Sequence, residues 1–148
     1  MLGRIGESFL IDARENRCVG CSPHNSLGLR LRFRRSGEHS VETEFDAPEH
    51  LCGAPGVLHG GIQATLLDEV FGVAAKTGFP DGANPTLVTL EFQLRYRRPA
   101  PLGRPLRVSG RFLRREGRDV FVEGEIADAE GQVLTRAEAR WRILSPPG

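Results

Sequence analysis

Residues 59–77 read HGGIQATLLDEVFGVAAKT, and this stretch decides the fold. At about 100° per residue its apolar side chains fall on one broad arc, which is the pattern of a helix that buries one face. The members of the arc are Ile62, Leu66, Leu67, Val70, Phe71, Val73 and Ala74. The spacing therefore predicts one long helix over 60–77, and Gly78 is a suitable residue to end it.

This helix begins with a glycine pair, Gly60 and Gly61, directly after His59. The backbone N–H groups at the start of a helix have no partner within the helix, and they lie at its positive end. Such a position stabilises an oxyanion or a polarised carbonyl. The glycine pair therefore indicates a site for developing negative charge.

The two carboxylates in the middle of the helix are expected to differ in role. Asp68 lies on a strip of small residues that lets another helix or a thin ligand approach closely. The strip consists of Ala64, Gly72 and Ala75. A lone aspartate on a helix is more often a surface residue or bonded to nearby backbone, but the glycine pair upstream favours a functional role for Asp68. Glu69 projects to another side and is interpreted as a solvated surface residue.

The spacing between Gly60 and Asp68 predicts a two-fold dimer. These residues are eight positions apart, which corresponds to about 12 Å along one helix axis. One small reacting group cannot contact both residues within a single subunit. If both act on one substrate, the simplest geometry is two antiparallel copies of the helix related by a two-fold axis.

The segments around the helix alternate apolar and polar residues, which indicates strands with one buried face. Two predicted strands precede the helix, over 29–35 and 41–45, and a loop over 47–58 leads into it. Four predicted strands follow it, over 87–97, 106–114, 120–127 and 133–144. Residues 4–15 fit a short amphipathic helix. The order favours an α+β fold, with one antiparallel sheet curling around a central helix.

The composition fits one ordinary domain. The chain has 148 residues, of which 39% are hydrophobic and 26% charged, and its net charge is +1. We therefore expect a single domain over 1–148, with 1–26 as an amino-terminal extension. Interspersed charges argue against a nucleic-acid or membrane-surface partner. The absence of a long apolar run or a signal-peptide core predicts a cytoplasmic protein.

The cysteines raise the question of a metal site. Three cysteines without a regular framework fit a reducing compartment better than a disulfide scaffold. Cys18, Cys21 and His24 have a spacing that invites zinc, but a closed structural site needs four ligands and Cys52 offers no matching spacing. We therefore predict no metal site and interpret the CxxC segment as a packed turn near the dimer or substrate groove, with metal binding as the minor alternative.

Several motifs together resemble the hotdog-fold acyl-CoA thioesterases of the PaaI type. The resemblance lies in CVGCSPHNSLGLRLRF over 18–33, PGVLHGG over 55–61 with Asp68, and YRRP over 96–99 preceded by Thr89. It covers most of the chain, and the central motif is its most specific part. The resemblance implies a hotdog fold, in which an antiparallel sheet wraps around one long central helix.

The resemblance also implies roles for individual residues. In proteins that this chain resembles, the amide of the first glycine polarises the thioester carbonyl, and this position is Gly60. The acid eight residues later, here Asp68, acts as nucleophile or as general base for water. His59 corresponds to the histidine that shapes the loop and helps to align the carbonyl. Thr89 corresponds to a hydroxyl residue that helps to hold the water or the carboxylate.

Further residues are candidates for substrate binding. Gly61 adjoins the oxyanion position, and Arg97 and Arg98 could meet the phosphates of coenzyme A, to which guanidinium groups are suited. Any single one of these arginines could equally be a solvated strand end. The chain departs from several relatives at Gly53, where they carry Asn or Gln six residues before the motif histidine.

The function predicted from these residues is hydrolysis of an acyl-CoA thioester to free acid and CoA, at a site shared across a homodimer interface. The dimer could pair further into a homotetramer. No cofactor is implied, because coenzyme A enters as part of the substrate. The alternative is a non-catalytic acyl-CoA binding or regulatory hotdog protein. A serine-hydrolase mechanism is disfavoured because the chain contains no GxSxG motif.

Overall fold

The computed structural model describes residues 2–145, which form one antiparallel sheet around a single α-helix. The elements in chain order are β1 (Ser8–Phe9), β2 (Phe33–Gly37), β3 (Ser40–Asp46), a 3-10 turn (Glu49–Leu51), α1 (Gly60–Lys76), β4 (Thr86–Tyr96), β5 (Pro105–Glu116), β6 (Asp119–Ala127) and β7 (Val133–Ser145). The sheet order is β1-β2-β3-β5-β6-β7-β4. The predicted architecture is confirmed, and so are the central helix and the four strands that follow it.

The core lies between α1 and the concave face of the sheet. The apolar arc predicted for α1 is buried, with Leu66, Leu67, Val70 and Phe71 at 0% exposure. Phe71 packs on Phe92 of β4, with ring centroids 5.4 Å apart. The sheet accommodates Phe71 because Gly124 of β6 carries no side chain at the point of contact, where a Cβ would lie 2.6 Å from the Phe71 ring. Burial of this arc is the main stabilising term for the fold.

Strand β4 contains an irregularity that changes which residues face the helix. Its pairing with β7 shifts register between Thr89 and Glu91, which is the signature of a β-bulge. Phe92 faces α1 beyond the bulge, and Thr89 reaches the helix before it. Strict alternation would place these two residues on opposite faces. The bulge is therefore what brings a polar residue of β4 to the helix.

The amino-terminal region differs from the prediction in two places. Residues 4–15 do not form a helix, because Gly6 adopts a positive φ of 90° and Ser8–Phe9 instead pairs with β2. The strand predicted over 29–35 begins later, at Phe33. Before it, the N–H groups of Leu29 and Leu31 donate to carbonyls of residues 19 and 20. The alternation pattern had assigned these N–H groups to the sheet, but they form their hydrogen bonds with the amino-terminal extension instead.

No helix within residues 2–145 is long and apolar enough to span a membrane.

Candidate active site

The start of α1 leaves one backbone donor free. His59 is the N-cap residue, and its Nδ1 accepts a hydrogen bond from the Gly61 N–H at 2.9 Å. Nδ1 is therefore unprotonated in this arrangement. The Gly60 N–H has no hydrogen-bond acceptor within residues 2–145. The positive end of the helix thus presents the Gly60 amide to any oxygen placed beside it.

Tyr96 supports Gly60 from the opposite side. The Tyr96 hydroxyl donates to the Gly60 carbonyl at 2.7 Å. A Cβ placed on Gly60 would lie 3.4 Å from the Tyr96 ring, so the ring covers this glycine at van der Waals distance. The contact joins the end of β4 to the start of α1. Sequence reasoning used Tyr96 only as part of a motif and did not anticipate this hydrogen bond.

A buried polar pair, which sequence reasoning missed, holds the loop before the helix. Gln63 and Thr135 are only 3% and 0% exposed. The Gln63 Nε2 donates to the Leu58 carbonyl at 3.0 Å, and the Thr135 hydroxyl donates to the Gln63 Oε1 at 2.6 Å. Since Leu58 directly precedes His59, this chain of bonds positions the loop that carries the cap. The available signal was Gln63 itself, a polar residue one turn before Leu67 on the core-facing side.

Asp68 is half-buried and has one side-chain hydrogen-bond donor. The Thr89 hydroxyl donates to its Oδ1 at 2.6 Å. Burial raises the pKa of Asp68 above its usual value, and the bond from Thr89 acts in the opposite direction. No lysine or arginine within residues 2–145 forms an ion pair with this carboxylate. A carboxylate in this setting is suited to accept a proton or to attack an electrophile.

The free amide and the carboxylate are separated along the same helix. Gly60 and Asp68 are both in α1, and eight helical residues correspond to about 12 Å. The two β4 residues that bond to these groups are separated in the same way, since Tyr96 bonds to the start of the helix and Thr89 to its middle. The two halves of the candidate site are therefore held rigidly apart within one subunit.

Glu69 is not the solvated surface residue expected from the helical register. It is half-buried, and its Oε1 accepts a hydrogen bond from the Cys18 Sγ at 3.0 Å. Gly20 packs so closely that a Cβ there would overlap the Glu69 side chain. Burial and the negative charge of Glu69 raise the pKa of Cys21 to about 12. The prediction failed because the amino-terminal extension folds across α1, which the register of one helix does not reveal.

The proposed phosphate-binding arginines lie at the end of β4. The backbone N–H groups of Arg97 and Arg98 both donate to the Leu134 carbonyl, at 2.8 and 3.0 Å, and both residues are exposed. Arg97 lines a groove with Arg95 and Arg136. Strand alternation puts this groove on the face of the sheet opposite Tyr96. The structure therefore does not bring Arg97 together with Gly60 within one subunit.

The fold and the site define a hotdog-fold protein with a helix-terminal amide and a carboxylate in mid-helix. The family described as the thioesterase superfamily matches residues 55–135, more than half of the chain. The chain belongs to the thioesterase superfamily. This confirms the family predicted from the motifs, and the matched region contains the end of the loop before α1, α1 itself and β4.

Individual relatives agree with this assignment. The acyl-coenzyme A thioesterase THEM4 of Rattus norvegicus is 31% identical over 115 residues, which is 77% of this chain and 47% of that protein. This chain thus spans about half the length of that relative. BH2602 of Bacillus halodurans, solved with CoA, is 25% identical with a TM-score of 0.67, over 79% of this chain and 74% of that one. E. coli PaaI is 13% identical with a TM-score of 0.71, over 80% and 83%, and shows the likeness of fold.

Proposed function

We propose that this protein hydrolyses an acyl-CoA thioester to a free acid and CoA, at two equivalent sites across a homodimer interface. The observation that carries the proposal is the pair formed by a free amide at Gly60 and a half-buried carboxylate at Asp68. Membership of the thioesterase superfamily supports it. So does the acyl-coenzyme A thioesterase named among the relatives.

In the proposed reaction, the amide and the carboxylate act on the same thioester group. Attack on the carbonyl carbon moves negative charge onto its oxygen, which the Gly60 N–H would stabilise. Asp68 would either take a proton from the attacking water or attack the carbon itself. The C–S bond then breaks: in the first route CoA leaves as its thiol with the proton that Asp68 took from water, and in the second it leaves as its thiolate, which takes a proton from the water of the hydrolysis step. In the second route, water hydrolyses the resulting anhydride and restores Asp68.

The neighbouring residues would hold these two groups in place. Thr89 would orient the Asp68 carboxylate through the bond to its Oδ1. His59 would keep the Gly61 N–H occupied, which leaves the Gly60 amide as the available donor. Gly61 offers room for the acyl group, because it is exposed and has no side chain. No dissociable cofactor takes part in this scheme.

A dimer would bring the two halves of the site together. With about 12 Å between Gly60 and Asp68 in one helix, a two-fold axis would set the start of one α1 beside the middle of the other. The β4 edge of the sheet supports such an interface, because within residues 2–145 it has a neighbouring strand on one side only, and it carries partly exposed Val88 and Leu90. An apolar edge strand is a ready surface for a second copy.

Arg97 and Arg98 are proposed to contact the phosphates of CoA. Both are exposed and directly follow Tyr96, whose hydroxyl bonds to Gly60. Because Arg97 faces away from α1 in its own subunit, it would serve a CoA moiety that runs along the outside of the sheet. The likeness to BH2602, solved with CoA, supports a CoA ligand.

The test is release of free thiol from short, medium, long and aromatic acyl-CoAs. We expect turnover by the wild type, and loss of most of it in Asp68→Asn with the dimer retained. The matched control is Asp81→Asn, the same change at an exposed turn residue. Binding without turnover across the panel would instead favour the non-catalytic acyl-CoA module. A fully active monomer, measured by sedimentation, would contradict the shared site.

A further inference from the structure

Three side chains with metal-binding atoms converge beside the middle of α1. The Sγ atoms of Cys18 and Cys21 and a carboxylate oxygen of Glu69 all lie within 4.8 Å of one another. All three residues are half-buried. The cysteines come from the amino-terminal extension and the glutamate from the helix, so the cluster exists only in the folded chain.

The turn between the cysteines is shaped around the sulfur of Cys18. Its Sγ accepts hydrogen bonds from the backbone N–H groups of Gly20 at 3.3 Å and Cys21 at 3.5 Å. These two bonds fix the position of the Cys18 sulfur within the turn. Gly20 also admits the Glu69 side chain, since a Cβ at this position would overlap it. The turn therefore points one sulfur at the carboxylate.

Asn16 orients the same turn from outside the cluster. Its Oδ1 accepts the Cys18 N–H at 2.9 Å, and its Nδ2 lies 3.6 Å from the Cys21 Sγ. Outer contacts of this kind orient the ligands of metal sites. His24 has a different partner, Asp12, at 2.7 Å. The histidine of the CxxCxxH pattern thus lies outside the cluster, and its third member is Glu69.

We propose that Cys18, Cys21 and Glu69 bind a thiophilic divalent cation of the zinc class. Two thiolates and one carboxylate form a donor set that suits this ion. Bonds of about 2.3 Å to sulfur and 2.0–2.2 Å to oxygen place tetrahedral ligands about 3.5–3.8 Å apart, which the cluster meets with little movement. Binding releases the two thiol protons, including the one now shared between Cys18 and Glu69.

The site has three protein ligands and leaves a fourth position for water. Its consequence for the protein is a link between the extension and α1 at the residue next to Asp68. The cation would also offset the negative charge of two thiolates and one carboxylate gathered in a half-buried space. This proposal differs from the metal-free turn that the sequence favoured. The reason is that Glu69 is distant from the cysteines along the chain.

The direct test is titration of the reduced wild-type chain, residues 1–148, with Co²⁺ as a spectroscopic substitute for Zn²⁺. We expect one ion per chain, a thiolate-to-cobalt charge-transfer band, and displacement of cobalt by Zn²⁺. We also expect Zn²⁺ to raise the melting temperature. This experiment needs no variant, so loss of folding cannot obscure it. Absence of the band, with both thiols reduced, would overturn the proposal.

Variants then assign the ligands. Cys18→Ser and Cys21→Ser should each weaken the charge-transfer band and lower the affinity for the metal. The loss of affinity should exceed the roughly 10-fold seen when a residue that only orients a metal ligand is replaced. Glu69→Gln should keep the band and lower the affinity. The matched control is Cys52→Ser, which removes the exposed third cysteine and should bind like the wild type. Equal losses in Cys52→Ser and Cys18→Ser would place the metal elsewhere and refute the assignment.

Discussion

Replacement of Gly60 by proline exchanges the hydrogen of one N–H group for a ring carbon and leaves the helix backbone in place. Gly60 is the first residue of α1, where proline is well tolerated because no helical hydrogen bond is lost. A proline also requires the preceding residue to be extended, and His59 already has ψ of 134°. The Gly60 carbonyl stays in place to accept the bond from Tyr96. The variant therefore separates the proposed oxyanion donor from the fold.

The expected loss of activity follows from the role of one donor. Removal of a single oxyanion-hole donor typically lowers kcat by about 10²–10³-fold, or about 2.7–4 kcal/mol of transition-state stabilisation. Stability should not fall, since proline at a compatible position stabilises by about 0.4–1 kcal/mol through the unfolded chain. For a chain of this length that corresponds to a melting temperature up to about 4 °C higher. Activity and stability should thus change in opposite directions.

The assay compares Gly60→Pro with Gly60→Ala. Alanine adds a Cβ at 3.4 Å from the Tyr96 ring, an ordinary contact that proline shares, but it keeps the N–H. Thiol release from the best acyl-CoA of the panel gives kcat, and thermal unfolding gives stability. We expect alanine to retain most activity and proline to lose it. Equal activity in the two variants would refute the reasoning, because the N–H would then have no role.

Three further predictions concern the scaffold. Thr135→Val should lower the free energy of unfolding by about 1–3 kcal/mol in denaturant titration, because it leaves the buried Gln63 oxygen unpaired; an unchanged midpoint would contradict the positioning role. Gly124→Ala should lower the free energy of unfolding by at least about 1–3 kcal/mol through overpacking against Phe71 and the neighbouring strand. A variant as stable as the wild type would contradict this, because the sheet could then relax around the added methyl group. Asp119 forms an ion pair with Arg142 of β7, and the hydrogen bond and positive charge of this arginine hold the pKa of Asp119 below its usual value. The stabilisation that the pair gives the fold is therefore present above about pH 4 and is lost as pH falls through the folded pKa. The stability difference between wild type and Asp119→Asn should therefore shrink between pH 7 and pH 3, and a constant difference would argue against this ion pair.

Local sequence patterns predicted the secondary structure correctly where that structure depends on a single segment. The arc of α1 and the alternation of the later strands follow from periodicities of 3.6 and 2 residues, which the chain displays directly. The failures fall in the amino-terminal region, where residues 4–15 form no helix and Ser8–Phe9 within them pairs with β2. Periodicity in such a short segment is weak, and edge pairing with β2 decides its structure.

In the candidate site, too, some residues could be selected from local sequence and others only from tertiary contacts. The helix start at Gly60 and the carboxylate at Asp68 could be selected from the sequence, because their chemistry depends on one helix. The resemblance named Thr89 as a residue that helps to hold the water or the carboxylate, but the alternation of its strand did not place it at the helix, and its contact with Asp68 depends on a bulge in β4. Gln63 and Thr135 were missed because a buried hydrogen bond joins residues 72 positions apart.

The sequence by itself thus determined the central helix, the antiparallel strands around it, the family, and the two groups proposed to act on the thioester. The helix and the strands follow from periodicity within single segments, and the family and the two groups follow from motifs that resemble those of known thioesterases. Only the tertiary structure decided which residues contact the helix: Tyr96 bonds to Gly60, Thr89 to Asp68, and Cys18 to Glu69. The physical reason is that such contacts depend on strand register and on the path of the extension, which are set by packing of the whole domain rather than by local preference.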